Sequence, residues 1–256
     1  MRHTLYILLV LTGMAYLFSA CSKMEEAAPS EDTFGTLALD LATVQPNRLT
    51  LTKATTVDVN AFSVTIKQGK NVVKSFDTFQ KLKESGTLRL EKGAYTIIAS
   101  QAGQMAEVSE QPFYLGQKVV NVEANAFVKP TIDCLMQQVR IKVKLEKELR
   151  DALTALPTDL SISNGNGSYT FKIDSNTGES DEIYIKPTEE FRLSFSATEK
   201  EYQEPISYSE LLKYSGGKSP VANDYVTVTI GLATDGTKAF SPRSANRSLI
   251  IKMTVQ

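Results

Sequence analysis

From Phe34 onward, apolar residues return at every second position in short runs, a period that favours β-sheet over helix. Leu37, Leu39 and Leu41 alternate with small or polar residues, as do Phe62, Val64 and Ile66, then Leu88 and Leu90, then Tyr95 and Ile97. Successive strand side chains point to opposite faces, so each run has one wet and one buried side. Gly69-Lys70-Asn71 and Glu91-Lys92-Gly93 supply turn chemistry between runs. Segments 113–115, 119–122 and 126–135 complete a first set of strands. Val139, Ile141, Val143 and Leu145 open a second set. Leu160 and Ile162, then Tyr169, Phe171 and Ile173, flank Asn164-Gly165-Asn166-Gly167, a hairpin signal. Phe191, Leu193 and Phe195 follow, then Val226, Val228, Ile230 and Leu232, a turn at Asp235-Gly236 and a last strand over 249–255.

Three short helices interrupt this pattern. One is expected over 77–85, started by Asp77 and stopped by Gly86. A second is expected over 146–156, with Leu149 and Leu153 at helical spacing and Pro157 as its stop. A third follows from Ser207-Tyr208-Ser209-Glu210, which has capping-box spacing before Leu211 and Leu212. The expected fold is all-β: two tandem β-sandwich domains, 34–136 and 137–256, with a few short helices. The boundary is placed near Gln137.

The first residues read differently. Arg2 and His3 precede an apolar run from Leu5 to Phe18, the layout of an export signal over 1–20. The run is shorter than the roughly 20 residues of a stable transmembrane helix. The stretch after it, to residue 33, is polar, acidic and carries Pro29, so it reads as a flexible tether. Leu17-Phe18-Ser19-Ala20-Cys21 resembles the lipobox of bacterial lipoproteins, with Phe18 where leucine is usual. That resemblance implies diacylglycerol on Cys21, cleavage before it, and anchoring to a membrane by several acyl chains. Glu25-Glu26 behind the cysteine resembles the signal with which Bacteroidota send lipoproteins to the cell surface. The expected location is the outer membrane, facing outward.

Composition narrows the chemistry. Formal net charge is -1 with no basic run, so the clustered positive face of a nucleic-acid binder is not expected. Of the two cysteines, Cys21 is assigned to lipid. Cys134 then has no disulfide partner and reads as a small buried apolar residue. The sole histidine, His3, leaves with the signal, so imidazole-based triads, His-held zinc and the usual proton shuttle are not expected. Tryptophan is absent. No cofactor, metal or enzymatic activity is expected.

Several segments together resemble a known family. Gly35-Thr36-Leu37-Ala38-Leu39, Val57-Asp58-Val59-Asn60-Ala61-Phe62-Ser63-Val64-Thr65-Ile66, Leu90-Glu91-Lys92-Gly93-Ala94-Tyr95-Thr96, Gln111-Pro112-Phe113-Tyr114-Leu115-Gly116, Val139-Arg140-Ile141-Lys142-Val143 and Ser161-Ile162-Ser163-Asn164-Gly165 occur in this order. They resemble the Bacteroidota lipoproteins grouped as a domain of unknown function, DUF4493, from Phe34 to about Tyr202. That family carries no established activity. Its design is similar to fimbrillin-like surface proteins, which pair two β-sandwiches behind a lipidated cysteine.

Other local patterns each have a chemical and a structural reading. Asp174, Glu179, Asp181 and Glu182 offer oxygens around Gly178, as a calcium loop does, but EF-hand spacing is not met and a solvated hairpin loop is favoured. Ser215-Gly216-Gly217-Lys218 has the serine–lysine spacing of penicillin-recognising enzymes, yet its two glycines favour a loop. Gly217-Lys218-Ser219 imitates the end of a phosphate loop, but Leu212 stands where a glycine is required. Tyr202, Tyr208, Tyr214 and Tyr225 could face sugar or protein, or cap the second sandwich. Arg48 is a candidate cleavage site or an ordinary surface arginine. The functional expectation is a structural or adhesive surface protein with a protein or glycan partner; the alternative is a polysaccharide-binding lipoprotein of a nutrient-uptake system.

Overall fold

The computed structural model describes residues 33–44, 57–214, 216–232 and 249–255. Cys21, Arg48, Ser215 and the Asp235-Gly236 turn lie outside the described residues. The chain is all-β, with four sheets and two short helices among the described residues.

The first half begins with β1 (Phe34–Leu37) and β2 (Asp40–Val44). A 3-10 turn over Val59–Ala61 leads into the hairpin β3 (Ser63–Gln68) and β4 (Asn71–Phe76). Helix α1 (Phe79–Glu84) precedes β5 (Leu88–Glu91), β6 (Gly93–Ser100), β7 (Val108–Ser109), β8 (Tyr114–Val122), β9 (Phe127–Val128) and β10 (Thr131–Met136). Six strands form one sheet in the order β2-β10-β8-β6-β3-β4, and three form another, β5-β1-β9. One apolar core joins them, including Leu37, Phe62, Ile66, Tyr95, Ile97 and Ile132.

Strands β1 and β2 are one N-terminal segment that serves both sheets. β1 lies between β5, antiparallel, and β9, parallel. After buried Leu39 the chain crosses to the other sheet, where β2 runs parallel to β10. Gly35 permits this, because a Cβ there would come 2.6 Å from Val122 Cγ1 and 3.2 Å from the Ala126 carbonyl. The opposite crossing, from β5 to β6, is pinned by the Tyr95 hydroxyl donating to the Glu91 carbonyl at 2.8 Å.

The second half contains β11 (Val139–Leu145), helix α2 (Lys147–Ala152), β12 (Ser161–Ser163), β13 (Ser168–Thr170), β14 (Ile183–Ile185), β15 (Arg192–Thr198), β16 (Pro205–Leu211), β17 (Tyr225–Leu232) and β18 (Leu249–Val255). Its sheets are β18-β17-β11-β14-β7 and β13-β12-β15-β16. A second core, including Ile141, Val143, Leu149, Ile162, Phe191 and Val228, fills the space around them.

Several expectations change in detail. Segments 113–115 and 119–122 are parts of the single strand β8, and Gly116 lies inside it. A Cβ at Gly116 would stand 2.6 Å from the Asp133 carbonyl and 2.9 Å from Cys134 Sγ, so the glycine admits a close neighbour and does not mark a break. Segment 126–135 is divided at Pro130 into β9 and β10, which belong to different sheets. Helix α1 is capped by Thr78, whose side chain accepts from Lys81 N–H at 3.2 Å; Asp77 pairs with Lys81 instead. Helix α2 stops at Ala152, before Pro157, because Leu153 bridges to Glu199 and Thr154 N–H donates to the Thr198 carbonyl. The helix expected at Ser207 is the strand β16, paired with β15 along seven residues. Cross-strand hydrogen bonding outweighs the local capping signal there.

Candidate interaction surface

The polar groups at the centre of the molecule are tied to one another. Between β6 and β8 the chain leaves the six-stranded sheet and reaches the other half, where β7 pairs with β14, Val108 opposite Ile185. Glu107 receives Lys186 Nζ at 2.9 Å and Asn164 Nδ2 at 3.0 Å. The lysine first, and then the amide, hold its carboxyl below the usual range. Asn164 is buried and accepts Asn166 and Gly167 N–H groups, so the Asn-Gly-Asn-Gly turn is fastened from inside. Gln138, fully buried, accepts Phe113 N–H at 2.9 Å and donates to the Ala106 carbonyl at 3.3 Å. Arg140 is only 9% exposed; it pairs with Glu182 and lies 4.9 Å over the Tyr225 ring. Tyr225 and Tyr184, on strands of the second half, pack into the core of the first. No local pattern announces Glu107, Gln138, Arg140 or the burial of Asn164, because the partners concerned are remote in sequence.

The proposed site residues take structural positions. In the 174–182 loop, Asp174 Oδ1 accepts Asn176 N–H, Thr177 N–H and the Thr177 hydroxyl at 2.9, 2.8 and 3.1 Å. The Thr177 amide, then the Asn176 amide, lower its pKa. Arg150 donates to the Ser175 and Asn176 carbonyls at 2.8 and 3.3 Å, so these two loop oxygens already serve a guanidinium. Glu179 faces Lys142 at 2.5 Å and Lys144 at 3.6 Å. Among the described residues no cluster of three or more His, Cys, Asp or Glu could hold a metal.

The tyrosines do not gather into a platform. Tyr214 donates to Asp224 at 2.6 Å, and its burial, then this bond, raise its pKa. Tyr208 lies against the Phe195 ring, with centroids 5.8 Å apart, and donates to Glu210. Tyr202 is 42% exposed. Gly217 N–H donates to the Tyr214 carbonyl and Tyr214 N–H to the Lys218 carbonyl, so Lys218 sits on a turn. Cys134 is buried, and burial, with a smaller push from Asp133, raises its thiol pKa to about 11. That thiol is not activated at neutral pH.

What remains open is sheet surface. The outer face of the six-stranded sheet carries Val44, Leu135 and Val119 exposed. At its edge, β4 pairs among the described residues only with β3, and its residues are exposed from Asn71 to Ser75. Beside α2 lies a shallow cleft of about 500 Å³ bordered by Glu148, Asp151, Glu199, Lys200 and Glu201.

These features define an all-β, sandwich-built protein whose buried polar groups serve its architecture. The chain belongs to the family described as Domain of unknown function (DUF4493), whose model matches residues 33–253. The match reaches further toward the C-terminus than the resemblance to about Tyr202. No curated protein matches the sequence. Among solved structures, the chain is similar to a candidate cell adhesion protein from Bacteroides uniformis, at 13% identity and TM-score 0.48, covering 77% of this chain and 91% of that one. It is similar to a fimbrial assembly protein from Parabacteroides distasonis, at 10% identity and TM-score 0.44, covering 87% and 98%. It is also similar to the fimbrial anchor protein of Porphyromonas gingivalis, at 10% identity and TM-score 0.42, covering 86% and 97%.

Proposed function

We propose that this protein is a lipid-anchored component of the cell envelope, displayed on the outer surface, with a structural or adhesive role and no enzymatic turnover. It is built of two sandwich domains, 34–136 and 137–256, behind a tether that starts at lipidated Cys21. The observation that carries the reading is the contrast between committed interior and open rim. Arg140, Glu107, Asn164 and Tyr214 are each held in structural bonds, while the β4 edge and the outer face beside it are exposed. An exposed edge is a template for contact with another chain.

Protease treatment of whole cells tests the location: the expected result is loss of the protein while periplasmic markers survive. Mass spectrometry of the mature N-terminus tests the anchor, expected as an acylated Cys21. An unacylated thiol or an uncleaved leader overturns it. A second reading, polysaccharide binding, is favoured by the carboxylate-lined cleft, since Tyr202 follows Glu201 and is partly exposed. Reproducible capture of one polysaccharide on a glycan array, lost in Tyr202→Ala, would select it.

A further inference from the structure

We propose that the β4 edge is a docking site for an extended acidic segment of a partner polypeptide, added as a further antiparallel strand. The proposal rests on the contact role above and names its place and chemistry.

β4 is a six-residue edge with described chain on both sides. β5, β7, β9 and β13 have four, two, two and three residues, too few for a strand-length contact. β2 and β18 each adjoin residues outside the described set. β16 opens with Pro205, which has no N–H to give. β4 follows a two-residue turn, Gly69-Lys70, and Gly69 adopts φ 57°, the left-handed region such turns require. Gln68 and Asn71 close that turn as a pair. By alternation along the ladder, the N–H and C=O of Val72 then point away from β3. Val72 is 57% exposed and Val73 38%, so backbone groups and apolar side chains are offered together.

Charge selects the occupant. Lys67, Lys70 and Lys74 line this hairpin and have no ion-pair partner among the described residues. The carboxylates on the neighbouring helix are engaged locally, Asp77 by Lys81 and Glu84 by the Gln80 amide. From 63 to 85 the chain has five lysines against two carboxylates. A second copy pairing through the same edge would set these lysines against each other, which disfavours a symmetric dimer. The register shift between Ile66 and Lys67 and the edge lysines are also devices that discourage unselective edge pairing. A strand with carboxylates on both faces satisfies the backbone groups that β4 leaves unpaired among the described residues and meets the lysines, Lys67 on the face of Val72 and Lys74 on the face of Ile66.

The test uses the full chain and two labelled probes, a peptide of Glu-Glu-Val repeats, which puts glutamates on both faces, and its Lys-Lys-Val counterpart. The glutamate peptide is expected to bind, and to slow hydrogen exchange over 71–76. Changing Lys67, Lys70 and Lys74 together to Glu should weaken it by about tenfold, taking a few tenths of a kcal/mol for each exposed charge. The same change should let the lysine peptide bind. Val72→Pro, which blocks the edge without removing an inward hydrogen bond, should abolish both; if that variant unfolds, the lysine changes still decide. Equal binding of the two peptides, exchange protection elsewhere, or self-association through β4 in sedimentation overturns the proposal. Protease shaving reads display without reading the edge, so a displayed chain that ignores the peptide refutes this proposal alone.

Discussion

Gly35→Ala isolates the packing of the N-terminal strand. On propensity alone the change should help, since alanine in place of glycine in an extended segment is worth roughly 0.5–1 kcal/mol. The structure reverses the sign. The new Cβ would overlap the Glu123 carbonyl, stand 2.6 Å from Val122 Cγ1 and 3.2 Å from the Ala126 carbonyl. Two of these are backbone atoms of the β8–β9 connection, which cannot turn aside as a flexible side chain can. β1 must therefore move outward, and Leu37, fully buried two residues on, moves with it. Overpacking of this kind costs about 1–3 kcal/mol. After the propensity gain, a net loss of about 1 kcal/mol is expected. Urea unfolding measures it. Hydrogen exchange locates it, with faster exchange in β1 and in its partners β5 and β9. Gly216→Ala is the control, because no atom lies within 4 Å of its Cβ position. It should be neutral or slightly stabilising. A Gly35→Ala protein as stable as the parent, with unchanged exchange in β1, refutes the reasoning.

Three further outcomes follow from the polar interior. Arg140→Met leaves Glu182 partly buried without its cation and should cost about 3 kcal/mol in urea unfolding, with part recovered when Glu182→Gln is added. The Cys134 thiol ionises near pH 9 when unfolded and near 11 when folded. Stability should therefore fall as pH rises through 9 to 11, and Cys134→Ala should flatten the part of that fall below pH 10, above which the tyrosines raised by burial also contribute. Glu179 is held below its ordinary pKa, first by its hydrogen bond to Lys142. Its contribution is present above pH 4.5 and lost as pH falls through the lowered value, so Lys142→Met should flatten the acid limb of the same curve.

Strand periodicity was legible wherever one face is buried. Val64, Ile66, Tyr95, Ile97, Val226, Val228 and Ile230 are all buried as their alternation requires. The Asn164–Gly167 turn was legible from glycine and asparagine chemistry, although the burial of Asn164 was not, because its partners Glu107 and Lys186 lie 57 and 22 residues away. β7 was invisible: two residues carry no period. β16 misled, since Ser207 and Glu210 have capping-box spacing while Ile206 and Tyr208 alternate as a strand. The cross-strand bond between the Ser209 and Ser194 hydroxyls, 2.9 Å, belongs to an arrangement no local window contains. The β4 edge was legible as a hairpin from Gly69-Lys70-Asn71, but its place at the rim depends on strand order, which periodicity does not encode.

The N-terminal crossing strand also fixes how the protein answers tension. A pull delivered at Thr33 runs along β1, and the hydrogen bonds to β5 and β9 stand across that direction. They are sheared together, since the strand cannot be peeled away one bond at a time. The parallel ladder from β2 to β10 lies further along the same segment and resists in the same sense. A molecule held at this end and pulled along β1 would load the pairings to β5, β9 and β10 together rather than in sequence.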